Sequence, residues 1–258
     1  MFSRLKLSGD DNSADFFTIR DDRIRHKGYL AKVYMEWAET ILNNCVSGGV
    51  TIEIGATNTT TQAVFRRVSA FGFDPIFLTT LAIQANAMHM PFASGSVKNL
   101  IATDTFHHLP DAEPFLAEVT RVLVDGGRLV LIEPWNNRWA KLVYQRFHPE
   151  PFLTDGDWTT IGDGPMTRAN GALPWIVFKR DYERFVTQFP RLRVVRLEPL
   201  MPVSFLMSGG ARSSLGFPRC FYGIVRLLER FAEHRGWGMS ALIVVEKSNH
   251  SPSGDSTI

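Results

Sequence analysis

Acidic and amide side chains recur in this 258-residue chain at the ends of short apolar runs, where ligand chemistry is organised in many folds. In chain order they are Glu53 before Ile54-Gly55, then Asp74, Asn86, Asp104 after Thr103, and Glu133 before Pro134-Trp135. Glu53 and Asp74 are separated by roughly twenty residues, a spacing at which a second strand-end acid can accept from a ribose hydroxyl pair. Each acid alone also reads as a solvated loop residue; a whole row of them is harder to read that way. Three histidines are candidate general bases, His107, His108 and His148, because a free imidazole titrates near neutral pH. The plainer reading of His107-His108 is that one ring packs or hydrogen-bonds to backbone. Glu150 lies close enough to His148 to form an acid–base pair. The three histidines could gather around a metal, but no carboxylate stands at ligand spacing on a single helix, so no metal site is expected.

These residues need elements to hold them. From Lys27 to Asn43, Leu30, Val33, Tyr34, Trp37 and Ile41 recur at spacings of three and four, which predicts a helix with one apolar face. Ser47-Gly48-Gly49 stops it, and Val50 to Ile54 predicts a β-branched strand closed by Gly55. Thr59 to Val68 predicts the next helix, with Asn58 or Thr59 as its cap. Further strands are predicted at Ser69–Phe73, Leu81–Ile83, Lys98–Thr103 and Arg128–Ile132, the last an unbroken apolar run after the turn Asp125-Gly126-Gly127. Helices are predicted over Glu113–Leu123, from beyond Trp135 to Phe147, and over Asp181–Gln188, with late strands at Leu192–Leu197 and Ala241–Val245. Continuous apolar strands alternating with amphipathic helices argue a parallel sheet covered on both faces. In such a sheet ligands bind at the carboxyl ends of the strands, which is where the acids stand.

Composition narrows the classes. At 45% hydrophobic and 21% charged residues the chain is an ordinary globular protein, and its net charge of +2 gives no reason to expect a nucleic-acid partner. Two distant cysteines, Cys45 and Cys220, exclude a disulfide framework and a thiolate zinc site, which suits a reduced, cytoplasmic protein. The stretch from Pro75 to Val97 lacks Asp, Glu, Lys and Arg, but Gln84, Asn86, His89 and two prolines interrupt it, so no transmembrane segment is expected. The expected organisation is an N-terminal extension over 1–26 and one domain over 27–247, followed by a flexible tail over 248–258. Within that domain the core spans 27–147, and insertions at 148–190 and 201–237 form a lid. The second insertion is rich in Phe, Leu, Ile and Arg; it reads as lid packing, or as an apolar acceptor pocket or interfacial surface.

The order of motifs resembles the class I S-adenosylmethionine-dependent methyltransferases, in particular small bacterial methyltransferase-domain proteins of the type 11 kind. The matching stretches are Thr51-Ile52-Glu53-Ile54-Gly55, Asp74, Ala85-Asn86-Ala87, Met90-Pro91-Phe92, Asp104 to Asp111, Arg121-Val122-Leu123, and Gly126 to Trp135. The resemblance implies a Rossmann-like, seven-stranded, mostly parallel sheet with helices on both faces and one late antiparallel strand. It implies S-adenosylmethionine as cofactor and methyl transfer to a small-molecule or glycan- or lipid-linked acceptor, with peripheral membrane contact as an option. On this reading Gly55 lets backbone approach the methionine end and Glu53 holds the ammonium. Asp74 accepts from the ribose, Asn86-Ala87 flank the adenine, and Asp104, Thr105 and Phe106 close the wall near the sulfonium. The usual acid-x-Gly-x-Gly-x-Gly turn reads here Glu53-Ile54-Gly55-Ala56-Thr57-Asn58-Thr59, so Ala56 and Thr57 bring β-carbons to the stretch where backbone should meet the ligand. That erosion supports a second expectation, a catalytically inactive protein of the same fold serving as a binding or scaffold partner. A nicotinamide dehydrogenase is disfavoured, because no GxGxxG follows Ile54.

Overall fold

The protein is described by a computed structural model over residues 28–55, 70–74, 83–162, 168–210 and 216–249. The helix expected over 59–68, the N-terminal extension and the end of the tail lie outside the described residues. Seven strands form one sheet: β1 (Thr51–Ile54), β2 (Ala70–Asp74), β3 (Ile83–Gln84), β4 (Val97–Thr103), β5 (Leu123–Pro134), β6 (Leu192–Leu200) and β7 (Ser240–Lys247). Their order is β3-β2-β1-β4-β5-β7-β6. The first five run parallel, and β7 is antiparallel to both β5 and β6. From β1 the chain steps outward to β2 and β3, then returns to place β4 on the other side. This reversal between β1 and β4 is the topological switch point, where diverging loops leave a crevice.

Both faces of the sheet are covered, which explains why its strands are apolar without alternation. Leu100, Ala102, Leu129, Leu131, Ala241 and Ile243 face a core closed by α2 (Ala112–Val122) and α3 (Arg138–Phe147). Ile101, Val130, Ile132, Leu242 and Val244 face the other way, onto α1 (Gly28–Asn44). The helices start where short polar side chains occupy the exposed first-turn amides. Asp111 accepts from Glu113 N at 2.9 Å, and Asn137 Oδ1 accepts from Ala140 N at 2.9 Å. At the start of β5 the expected turn is a bulge inside the strand. Leu123 pairs with Val97, the register slips, and pairing resumes at Arg128 with Asn99, while Gly126 turns through φ 71°.

The two insertions differ in character. The first returns to the main core, where Phe152, Trp158, Leu173, Ile176, Phe178 and Phe185 are buried. Its helical parts are α4 (Leu173–Trp175), a π-turn over Ile176–Arg180, and α5 (Tyr182–Gln188). It packs into the main core beside the strand ends. The second carries α6 (Ser204–Met207) and α7 (Tyr222–Glu233), and α7 has inverted polarity. Its buried residues are Arg226 and Glu229, whereas Ile224, Leu227, Leu228 and Phe231 are exposed. The reason is a charged clamp. Arg226 binds Glu36 of α1 at 2.7 Å, Glu229 at 2.7 Å and Glu233 at 2.8 Å. Glu229 in turn accepts from Val203 N, and Glu233 from Met201 N, each at 2.6 Å. These bonds tie the inward stripe of α7 to α1 and to the β6–α6 connection, so the apolar stripe faces outward.

Candidate active site

Because β1, β2 and β4 run parallel in close register, their carboxyl ends meet on one edge. Ile54 pairs with Phe73 on one side and Ala102 on the other. Gly55 therefore stands beside Asp74, the last residue of β2, and near the turn after Thr103. Glu53 is buried within β1, and Asp104 follows β4 with φ 48°, a left-handed conformation that Asp tolerates better than most residues. Gly55 has φ 70°, and a β-carbon added to it would fall 2.6 Å from Thr105 Cγ2 and 3.0 Å from Thr105 Cβ. The glycine is thus required by Thr105. Asn86 is exposed in a turn, where its side-chain carbonyl accepts from Met88 N at 3.0 Å. Ala87 is buried in the core beside it. Ala56 and Thr57 lie outside the described residues, as does the side chain of Asp74.

The loop after β4 is anchored by Glu133, at the end of β5 and fully buried. One of its oxygens accepts from Thr105 N at 2.8 Å and Phe106 N at 2.7 Å, and the other binds His107 Nδ1 at 2.7 Å. Thr105 Oγ1 donates to Thr103 O at 2.9 Å, which completes the turn. Phe106 is buried against Phe115 and Phe178, so it serves the core as well as the wall. The first insertion is laced to the same loop: Asn170 N donates to His107 O at 2.9 Å, and its side chain bridges Leu153 and Ala172.

Beyond α3, Glu150 enters this region from a separate segment and meets all three histidines. Its Oε2 lies 3.4 Å from His107 Nε2, 4.0 Å from His108 Nε2 and 3.7 Å from His148 Nδ1. His108 Nδ1 lies 2.8 Å from Arg168 O, and the two neighbouring rings are 4.2 Å apart. Tyr144 walls the cluster, stacked on Phe152 and edge-on to His148, with its hydroxyl donated to Met239 O at 2.8 Å.

Electrostatics separate the candidate bases. Burial pulls the His107 imidazolium down, but the bond and charge of Glu133, then of Glu150, outweigh it and carry its pKa up to about 10. The two carboxylates thus favour the protonated ring, which makes His107 a poor general base. Burial first, then the His107 charge, holds His108 down at about 4. Glu150 is disfavoured as an anion by burial, yet the bond and charge of His107 and the other imidazoles hold it well below the usual carboxylate range. Burial raises the Tyr144 hydroxyl well above its ordinary value, and the charges of Asp104 and Glu150 add to that. His148, the most exposed of the three imidazoles, is the one open to a diffusing partner. Sequence spacing treated Glu133 as one strand-end acid among several, and its signal was only its position after the strongest apolar run.

The order of strands, with ligand-type residues at the switch point and one antiparallel strand beside β5, defines the class I methyltransferase fold. Residues 53–131 match the model of a protein family described as a methyltransferase domain. The match covers 79 of the 258 residues, from within β1 to within β5. Over 49 residues the chain is 39% identical to "Methyltransferase GfsG" of Streptomyces halstedii, a match that spans 19% of this chain and 18% of that protein. The fold is similar to geranyl diphosphate C-methyltransferase from Streptomyces coelicolor A3(2), solved with Mg2+, geranyl diphosphate and S-adenosyl-L-homocysteine. That similarity has a TM-score of 0.51 and 15% identity, covering 93% of this chain and 86% of that one. It is also similar to a chain of the complex between the Haloferax volcanii Trm112 methyltransferase activator and a methyltransferase. There the TM-score is 0.53 and the identity 16%, over 92% of this chain and 96% of that one. Among the described residues no helix is long and apolar enough to cross a membrane.

The rim fits the cofactor of this class in one respect that geometry can test. At Gly55 the backbone is bare and turned through positive φ, directly at the switch point, with Asp104 across from it. A larger residue there would displace the Thr105 loop and close the approach.

Proposed function

We propose that the chain is an S-adenosylmethionine-dependent methyltransferase acting on a small-molecule or glycan- or lipid-linked acceptor. The observation that carries this reading is the register of β1, β2 and β4, which brings Gly55, Asp74 and the Asp104 turn to one edge at the reversal of strand order. The cofactor supplies a methyl group already activated by a positive sulfur, so the protein has mainly to align an acceptor atom with it. In this reading Glu53 and Gly55 receive the methionine end, Asp74 the ribose and Asn86-Ala87 the adenine. Asp104, Thr105 and Phe106 bound the sulfonium side, held by Glu133. His148 is the ring suited to take a proton from the acceptor, and His107 and Glu133 position the loop.

The outward face of α7 favours the lipid-linked branch of the acceptor class. Leu227 and Leu228 are each 69% exposed, beside exposed Ile224, Phe231 and Trp237. The exposed charges of the segment itself, Arg219, Arg230 and Arg235, are cationic, because Glu229 and Glu233 are turned inward to Arg226, while Glu39 of α1 is exposed beside Arg230. An apolar stripe flanked by arginines suits an anionic lipid surface. Sedimentation with phosphatidylglycerol vesicles should carry the protein down, and Leu227→Asp with Leu228→Asp should release it. Equal sedimentation of both would remove this branch.

Calorimetric titration with S-adenosylmethionine and S-adenosylhomocysteine tests the main reading. Asp74→Ala should weaken binding more than Asn86→Ala, since a carboxylate accepts charge-assisted bonds roughly twice as strong as those of an amide. Equal losses would show the ribose assignment to be wrong. The eroded turn, Ala56-Thr57-Asn58, favours a second reading, a methyltransferase-fold binding protein without catalysis. Absence of binding to either compound, restored by Ala56→Gly with Thr57→Gly, would select that reading.

A further inference from the structure

We propose that His107, His108 and Glu150 form a binding site for one divalent transition-metal ion at the acceptor side of the β4–β5 rim. Each residue offers one ligand atom, and the three atoms lie within 4.8 Å of one another. A tetrahedral ion with bonds of about 2.0–2.1 Å spaces its donors by roughly 3.4 Å. The His107 Nε2 to Glu150 Oε2 separation is already 3.4 Å, and the His108 Nε2 to Glu150 Oε2 separation is 4.0 Å. The His108–Glu150 pair has to close from 4.0 Å, and the third pair from no more than 4.8 Å, to complete the set.

The surroundings argue for a metal more strongly than the distances do. Rings that bind metals through one nitrogen almost always donate the other N–H to a carboxylate or a backbone carbonyl. Both arrangements are present side by side. His107 Nδ1 binds Glu133 at 2.7 Å, and Glu133 is itself fixed by the amides of Thr105 and Phe106. His108 Nδ1 binds Arg168 O at 2.8 Å. A carbonyl oxygen can only accept, so the hydrogen of neutral His108 is on Nδ1 and its Nε2 lone pair faces the Glu150 side. Two carboxylates, Glu133 and Glu150, converge on His107 from its two nitrogens. A divalent cation would neutralise that pair, and it would sit where the His107 Nε2 proton now faces Glu150.

The site also has an entrance. Side-chain exposure rises from 3% at His107 to 12% at His108, 18% at Glu150 and 34% at His148. Three protein ligands leave a further coordination position on this open side, as in metal sites that bind substrate. Two imidazoles select a zinc- or cobalt-like ion over magnesium or calcium, which prefer oxygen. An acceptor that presents a hydroxyl or carboxylate oxygen would fill the open position; this last step rests on the methyl-transfer reading, whereas metal binding does not.

The test uses the whole chain after dialysis against a chelator, titrated with CoCl2 and ZnCl2 by calorimetry, with visible absorption for cobalt. One equivalent should bind, cobalt should give a d–d band of low-coordinate type, and MgCl2 should not compete. His108→Ala and the isosteric Glu150→Gln should each weaken binding by roughly tenfold or more. Circular dichroism checks that each variant is folded, and wild-type titration alone decides if either is not. No stoichiometric cobalt or zinc binding, competition by magnesium, or undiminished binding in folded variants would overturn the site. Titration of the same variants with S-adenosylhomocysteine separates the outcomes, because loss of the metal should leave cofactor binding in place.

Discussion

Gly55→Ala tests the contact on which the candidate cofactor cleft depends. Two costs can be worked out separately. At φ 70° an L-residue sits in the left-handed region, at about 1–2 kcal/mol. The new β-carbon would also lie 2.6 Å from Thr105 Cγ2 and 3.0 Å from Thr105 Cβ, and overpacking of this kind costs about 1–3 kcal/mol. The variant should therefore lose about 2–5 kcal/mol in urea denaturation. Thr105→Ala removes Oγ1 and Cγ2 and leaves only the contact with Cβ, so in the double variant the steric part should largely return. The conformational part should not. Thr105→Ala alone loses the hydrogen bond to Thr103 O, about 1 kcal/mol, and a double-mutant cycle subtracts it. The cycle should show favourable coupling of about 1–3 kcal/mol. Affinity for S-adenosylhomocysteine gives an independent reading. If the bare backbone at Gly55 also meets ligand, the double variant recovers stability but not binding. Additivity within about 0.5 kcal/mol would refute the contact. Full recovery of binding would mean that Gly55 serves packing alone.

Glu133→Gln should cost about 2–4 kcal/mol in the same assay, because it replaces the charged acceptor of His107 Nδ1 by an amide and leaves Glu150 as the one carboxylate on the buried ring; a loss below about 1 kcal/mol would exclude the anchoring role. Burial disfavours the Glu36 anion, yet the bond to Arg226, with Tyr222 adding to it, holds the carboxyl below its ordinary value. Its contribution to stability is therefore present above the unfolded pKa and lost as pH falls through the folded one. In Arg226→Met burial acts on Glu36 with only the Tyr222 bond and the charge of Arg230 against it, so this acid-side loss should flatten or reverse; an unchanged pH profile of urea midpoints between pH 3 and 6 would count against the clamp. Burial pushes the Cys45 thiol up to about 11, and Cys220 is exposed, so iodoacetamide at pH 8 should label Cys220 first. Mass spectrometry of the labelled peptides checks the order, and equal rates would contradict the packing of Cys45.

The parts of this molecule that were legible in the sequence are those set by local period. The strand from Leu129 to Ile132 is unbroken because its alternate residues meet two cores, one under α2 and α3 and one under α1. The position of Gly55, Asp74 and Asp104 on one edge follows once the strands are read as parallel, since each stands at a carboxyl end. The cluster around Glu150 was not legible in the same way. The pairing of Glu150 with His148 follows from their adjacency, but its meeting with His107 and His108 does not, because Glu150 arrives through the length of α3 and the turn after it. No periodicity encodes that meeting.

Helix α7 exposes a different limit. An amphipathic pattern says that a helix has two unlike faces, but burial of the apolar one is an inference about the rest of the chain. Here a second pattern ran along the same helix: Arg226, Glu229 and Glu233, spaced by three and then four, form a charged stripe. With Glu36 and the amides of Met201 and Val203 within reach, every member of that stripe finds a partner on the inner side. Burying the leucine stripe would have required turning these charges to water and leaving those amides unpaired, at about 1–3 kcal/mol each. Polar satisfaction sets the orientation of α7. The hydrophobic face is what remains outside, and that is where the anionic-surface prediction acts.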